Sequence, residues 1–180
     1  MHRARRHTEE IRSMKSTGFW IVVWLLAVAT AQQVHAQAAT TFILVRHAEK
    51  ESGSKDPALT PAGQQRAERL AHFLSRQAVQ AVYSSNYQRT RQTAAPLALM
   101  KNLSIQTYDP ARPEEARSMQ REFPGATIVV VGHSNTIPKL ANYLLGKDLV
   151  ADFTDDEYDN LLIITVPASG KEATLTRLVF

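Results

Sequence analysis

Phe42-Ile43-Leu44-Val45-Arg46-His47-Ala48-Glu49-Lys50 is the stretch that decides how the chain folds. Four apolar residues run into an arginine and a histidine with nothing polar between them. Such a short continuous run reads as a strand buried on both faces, as in a parallel sheet. Ligands of open α/β sheets bind beyond the carboxyl ends of the strands, so Arg46 and His47 are expected at the mouth of a site. A lone Arg-His pair is more often plain surface. The balance shifts with a second run of the same form, Ala126-Thr127-Ile128-Val129-Val130-Val131-Gly132-His133-Ser134-Asn135. Core packing alone gives no reason for two apolar strands that each deliver a histidine at the carboxyl end.

Outward from these strands the chain alternates. Thr60-Pro61 starts a helix, with Thr60 as cap and Pro61 at its first position, and Ala67, Leu70, Ala71, Leu74 and Ala78 follow at helical spacing. His72 lies off that stripe and is expected in solvent. Val79 to Tyr83 reads as a strand ending in Ser84-Ser85. A helix then opens at Tyr87 or Gln88 with Arg89 in its first turn; Arg91, two residues on, faces elsewhere. Leu103 to Thr107 reads as a short strand leading to Tyr108-Asp109-Pro110, and Pro113 to Phe123 as a short helix. After the His133 strand come a helix from about Thr136 to Leu145, closed by Gly146, and two strands, Leu161 to Val166 and Ala173 to Val179. This alternation predicts a three-layer α/β/α domain with a mostly parallel central sheet.

The chain has 180 residues and no cysteine, which excludes disulfides, thiolate catalysis and cysteine-based zinc sites. Its formal net charge of +4 would suggest a polyanion partner if it were spread over the body. It is not: Arg3, Arg5, Arg6, Arg12 and Lys15, against Glu9 and Glu10, all lie in residues 1–36. Setting these aside leaves 16 basic and 15 acidic residues, and with a near-neutral body no nucleic-acid partner is expected.

The apolar run from Phe19 to Ala31 has the length of a signal-peptide core and is short for a membrane span. Val34 and Ala36 match the small-residue pattern of a cleavage site. Residues 1–36 are therefore expected to be an amino-terminal extension and signal peptide, with Met14 as an alternative start and an uncleaved anchor as the rival reading. Residues 37–180 are expected to form a single exported domain, periplasmic or secreted, with no stable membrane span once the leader is cleaved. Oligomeric state leaves no signal in the sequence.

Arg46, His47, Arg89, His133, Ser134 and Asn135 all fall at strand ends and helix starts. Guanidinium forks match phosphate oxygens, and a helix start adds backbone donors. A neutral imidazole among such cations is a competent nucleophile towards phosphorus. No metal-ligand spacing is present, so neither a metal nor another cofactor is expected.

Three ordered motifs carry a resemblance: Leu44-Val45-Arg46-His47-Ala48-Glu49, the run Ser84-Ser85-Asn86-Tyr87-Gln88-Arg89-Thr90-Arg91-Gln92-Thr93-Ala94, and Val131-Gly132-His133-Ser134-Asn135. Leu59-Thr60-Pro61-Ala62-Gly63 adds to them. Together they resemble the histidine phosphatase, or phosphoglycerate mutase-like, superfamily across nearly all of residues 41–180. The resemblance implies that His47 is transiently phosphorylated, that Arg46, Arg89 and His133 bind the phosphoryl oxygens, and that Ser134 and Asn135 assist. Ala48 stands where glycine is commoner in the family. The chain is short where many relatives insert the residue that protonates the leaving oxygen. Asp109 is the first candidate for that acid, Glu49 the second, and Glu114 or Glu115 follow. An exported chain meets no pool of three-carbon phosphates, which favours water as acceptor and a small phosphorylated substrate. The alternatives are a protein phosphohistidine phosphatase, a non-catalytic binder of phosphorylated envelope glycans, and a tethered interaction protein.

Overall fold

The structure, a computed structural model, describes residues 39–169 and 172–180; the expected leader lies outside them. Among the described residues no helix is long and apolar enough to cross a membrane. In chain order the elements are β1 (Thr40–Arg46), α1 (Pro61–Phe73), β2 (Val79–Ser84), α2 (Gln88–Lys101), β3 (Ile105–Thr107), α3 (Glu115–Glu122), β4 (Thr127–Gly132), α4 (Thr136–Leu145), β5 (Asn160–Val166) and β6 (Thr174–Val179).

The six strands form one sheet in the order β3-β2-β4-β1-β5-β6. The first four strands in the chain run parallel to one another, β5 is antiparallel to β1, and β6 is antiparallel to β5. The expected three-layer, mostly parallel architecture is thus present. Alternate residues of each central strand feed opposite layers. Phe42, Leu44, Ile128 and Val130 join Ile137, Leu140, Ala116 and Met119 on the side of α3 and α4. Ile43, Val45, Val129 and Val131 join Leu70, Leu74, Ala94 and Leu97 on the side of α1 and α2. Burial on both faces explains the unbroken apolar runs, each large side chain contributing roughly 2 kcal/mol of hydrophobic stabilisation.

Local chemistry sets the helix ends. Thr60 accepts from the backbone N–H of Gly63 and Pro61 occupies the first turn of α1, as expected. Gly63 is required by close approach: a Cβ there would stand 2.1 Å from the carbonyl oxygen of Glu49. This docks α1 against the loop leaving β1, where Thr60 N–H also donates to Glu49 O at 2.9 Å. His72 is exposed. Helix α4 ends at Gly146 in the left-handed region, φ 67°. Three elements are shorter than expected. Helix α1 ends at Phe73 with Leu74 as its cap, so Ala78 lies outside it and is exposed. Asn102 turns left-handed at φ 53° and Leu103 N–H closes back on Ala98 O, so β3 starts only at Ile105. Helix α3 starts at Glu115, because Pro113 and Glu114 are used in the turn before it.

The reversal of β5 follows from the path of residues 147–159. Helix α4 begins at the carboxyl edge of the parallel strands and runs away from it. The segment after it returns to that edge, where Phe153 N–H donates to Ser134 O at 2.9 Å. Strand β5 therefore enters beside the end of β1, with Leu161 opposite Val45.

Candidate active site

Strands β1 and β4 are parallel neighbours with Arg46 opposite Gly132. One step further His47 N–H donates to Gly132 O at 2.9 Å, and the next residues of the two strands are the two histidines. Their ring centroids are 5.5 Å apart, at 68°. On the other side of β4, Ser84 lies opposite Val131 and Ser85 follows it. Three adjacent strand ends thus supply His47, His133 and Ser85. Gly132 is the hinge of this arrangement: a Cβ there would stand 2.5 Å from the Tyr108 hydroxyl and 3.0 Å from Ile137 Cδ1.

The tautomer of each ring follows from its partners. Nδ1 of His47 lies 2.7 Å from the carbonyl oxygen of Ala48. A carbonyl only accepts, so Nδ1 carries the proton and the lone pair is on Nε2. Burial pushes the imidazole down to about 3; the Ala48 bond opposes this, while His133, Arg46 and Arg89 lower it further. The ring is therefore neutral near pH 7. For His133 the partners are reversed. Arg89 Nη2 approaches Nδ1 at 3.5 Å, so Nε2 carries the proton and donates to Ser85 Oγ at 3.0 Å. Ser85 in turn donates to Thr90 Oγ1 at 3.0 Å, and Thr90 donates to the backbone carbonyls of Ser85 and Tyr87. Burial, then the charges of Arg89 and Arg46, push His133 down to about 4.

Arg46 is buried and held by the return segment. Its Nη1 donates to the carbonyls of Thr154 at 2.6 Å and Glu157 at 3.1 Å, and its guanidinium carbon stacks 4.2 Å from the Tyr158 ring centre. Arg89 lies 4.4 Å from the centre of the Tyr87 ring and 3.6 Å from Asp56 Oδ1. The Nε of each arginine is buried without a hydrogen-bond partner among the described residues. A buried unpaired donor costs roughly 1–3 kcal/mol, and more on a charged group. Two guanidinium charges close enough to both neutral imidazoles to lower their basicity suit an oxyanion.

The structure brings together Arg46, His47, Arg89 and His133. Asn135 lines a hollow of about 380 Å³ together with Arg89 and His133; Ser134 lies next to it, its carbonyl held by Phe153. Glu49 is turned away: its carboxylate takes a fork from Arg66 at 2.7 and 3.0 Å, which holds it below the usual carboxylate range and ill suits it to give up a proton. Asp109 is exposed and its carboxylate accepts from Ala111 N–H in its own turn. It lines an adjoining hollow with Glu115, which is bonded to Asp109 N–H and lies 3.6 Å from Arg112; Glu114 pairs with Arg112.

Several participants carry no role in the sequence reading. Ser85 and Thr90 were visible as parts of the second motif, as was Thr93, whose Oγ1 accepts from Ala48 N–H at 3.0 Å and donates to Arg89 O at 2.7 Å. Asp56 accepts from Gln88 N–H at 2.9 Å, capping α2 from a distant loop because Tyr87, at the cap position, has no group to do so.

Residues 42–112 match the model of the histidine phosphatase superfamily, branch 1. That stretch, which holds Arg46, His47 and Arg89, is similar to this superfamily. Over 70 residues it is 43% identical to phosphoserine phosphatase 1 of Hydrogenobacter thermophilus, covering 35% of this chain. The match spans only 33% of that relative's length. Solved structures extend the likeness in fold across the described residues. A phosphoserine phosphatase of Entamoeba histolytica, in complex with 3-phosphoglyceric acid, superposes with TM-score 0.62 at 18% identity, covering 76% of this chain and 95% of that one. The protein histidine phosphatase SixA, complexed with tungstate, superposes with TM-score 0.63 at 19% identity, covering 77% and 96%.

Proposed function

We propose that this domain is a phosphohydrolase that removes phosphate from a phosphomonoester through a phosphohistidine on His47. The observation that carries the reading is the pairing of a neutral His47, its Nε2 lone pair free, with His133 5.5 Å away and with the guanidinium charges of Arg46 and Arg89 acting on it. Nε2 attacks phosphorus as the alcohol leaves; water then attacks phospho-His47 and releases orthophosphate. Arg46 and Arg89 offset the charge gathered on the phosphoryl oxygens, in the role a metal plays elsewhere, so the reading calls for no metal. His133, fixed by Ser85 and Arg89, completes the cradle. Of the carboxylates weighed for protonating the leaving oxygen, Glu49 is held ionised by Arg66. Asp109 lines the hollow that shares Tyr87, Pro110 and Ala111 with the hollow of His133, and the reading keeps Asp109.

The relatives support phosphate removal as the reaction, and the leader read from residues 1–36 supports an exported location. The test is a phosphate-release screen of the protein over a panel of phosphomonoesters, with and without chelator. Turnover that survives chelator and disappears in His47→Ala is expected. Undiminished turnover in that variant, or loss with chelator, contradicts the reading. Likeness to SixA favours one second reading, phosphohistidine on a protein as substrate; preference for a phosphohistidine peptide over every phosphomonoester in the panel would select it.

A further inference from the structure

The hollow beside His133 is cationic in a way the phosphoryl site does not require. Tyr87, Arg89, His133, Asn135, Thr136 and Lys139 are among the residues that line it. Thr136 and Lys139 are three apart on α4 and so share a face. None of the residues lining the hollow is acidic. Lys139 is exposed and has no ion pair or hydrogen bond among the described residues. On its other side Lys139 lines a second hollow with Arg117, Lys147 and Asp148, where Arg117 is engaged by the Tyr143 hydroxyl and Lys147 by Glu172. The adjoining hollow across Pro110 and Ala111 has the opposite character, with Asp109 and Glu115 in its wall and no cation.

A phosphoryl group held at His47 and His133 must direct its leaving group outward. The hollow that opens from His133 is large enough for a compact group of a few carbons, with the Tyr87 ring and two prolines as its apolar wall. We propose that this hollow receives the leaving group and that Lys139 reads a second anionic group on it, a carboxylate or a further phosphate. The inference rests on the phosphoester reading of the site and narrows it to substrates whose leaving group is itself negatively charged. A neutral leaving group would find no partner for the ammonium, and a cationic one would be repelled by both Lys139 and Arg89. An exposed ion pair is worth at most about fivefold in affinity, and its share falls as salt screens it.

Two three-carbon esters separate the cases, because 3-phosphoglycerate carries a carboxylate where glycerol 3-phosphate carries a hydroxymethyl group. Calorimetric titration of the full chain carrying His47→Ala, which cannot turn the esters over, should show 3-phosphoglycerate bound about fivefold tighter at low salt. In that background Lys139→Met keeps the aliphatic stem and should erase the preference; Lys139→Arg should keep it. Equal affinity with Lys139 in place, or a preference that persists in Lys139→Met, overturns the proposal. Because the readout is binding, the two ideas fail separately. A preference that obeys Lys139 while the unaltered protein hydrolyses neither ester leaves the subsite standing and removes the hydrolase. Hydrolysis of both esters with no difference in affinity does the reverse.

Discussion

Nη2 of Arg89 stands 3.5 Å from Nδ1 of His133, while the Ser85 hydroxyl, which donates to Thr90, meets Nε2 at 3.0 Å, and the two contacts together set which nitrogen of the ring is protonated. A guanidinium only donates, so His133 holds its proton on Nε2, whereas the Ala48 carbonyl holds the proton of His47 on Nδ1. Two neutral imidazoles 5.5 Å apart thus adopt opposite tautomers. Among the six histidines of the chain, ring-nitrogen NMR at neutral pH should show the Nδ1–H form for His47 and the Nε2–H form for His133, assigned by loss of the corresponding signals in His47→Asn and His133→Asn. Finding both rings in the same tautomer, or either one doubly protonated, would contradict the site as described.

The same burial makes the domain sensitive to acid. Both rings bind a proton less readily folded than unfolded, with His47 near 3 and His133 near 4 against an ordinary value of 6.5. The unfolded chain therefore takes up more protons between pH 6.5 and about 4, so stability falls as pH drops through that window. His47→Asn keeps a donor for the Ala48 carbonyl but cannot titrate. Denaturant unfolding should show a loss between pH 7 and about 4.5 that is smaller in this variant, by on the order of 2 kcal/mol. An identical loss in both proteins would mean that the ring is not held neutral.

Leaving-group chemistry tests the role proposed for Asp109. If its carboxyl group protonates the departing oxygen, Asp109→Asn should slow hydrolysis of an alkyl phosphate by about a hundredfold. It should slow a nitrophenyl phosphate much less, since the weakly basic nitrophenolate leaves without help. Steady-state kcat for the two esters reads the difference. An equal effect on both would return Asp109 to its visible task of capping the turn at Ala111.

The sheet and the two histidines were legible because they depend on local pattern. Ile43 to Val45 and Ile128 to Val131 are buried on both faces, and no element other than a central strand accounts for such runs. Convergence of His47 with His133 depends on the pairing of Arg46 with Gly132 across 86 residues. Periodicity carries no information on that pairing, and the expectation rested on the motifs. The reversal of β5 was hidden because alternating burial looks the same in either direction. The carbonyls that grip Arg46 come from Thr154 and Glu157, where side-chain identity does not report on backbone use. The cap that Asp56 places on α2 is set by a chain path rather than by spacing. Ser85, Thr90 and Thr93 stood inside a quoted motif, but a small hydroxyl serves so many ends that position alone did not assign them.

The central claim, that Nε2 of His47 takes the phosphoryl group, is tested most directly by stopping the reaction within its first turnover. A radiolabelled phosphomonoester mixed with the protein and quenched in alkali should leave label on one peptide, containing His47, with the stability in base and lability in acid of a phosphoramidate. Label on Ser85, or hydrolysis that proceeds with no labelled protein at any time, would contradict it.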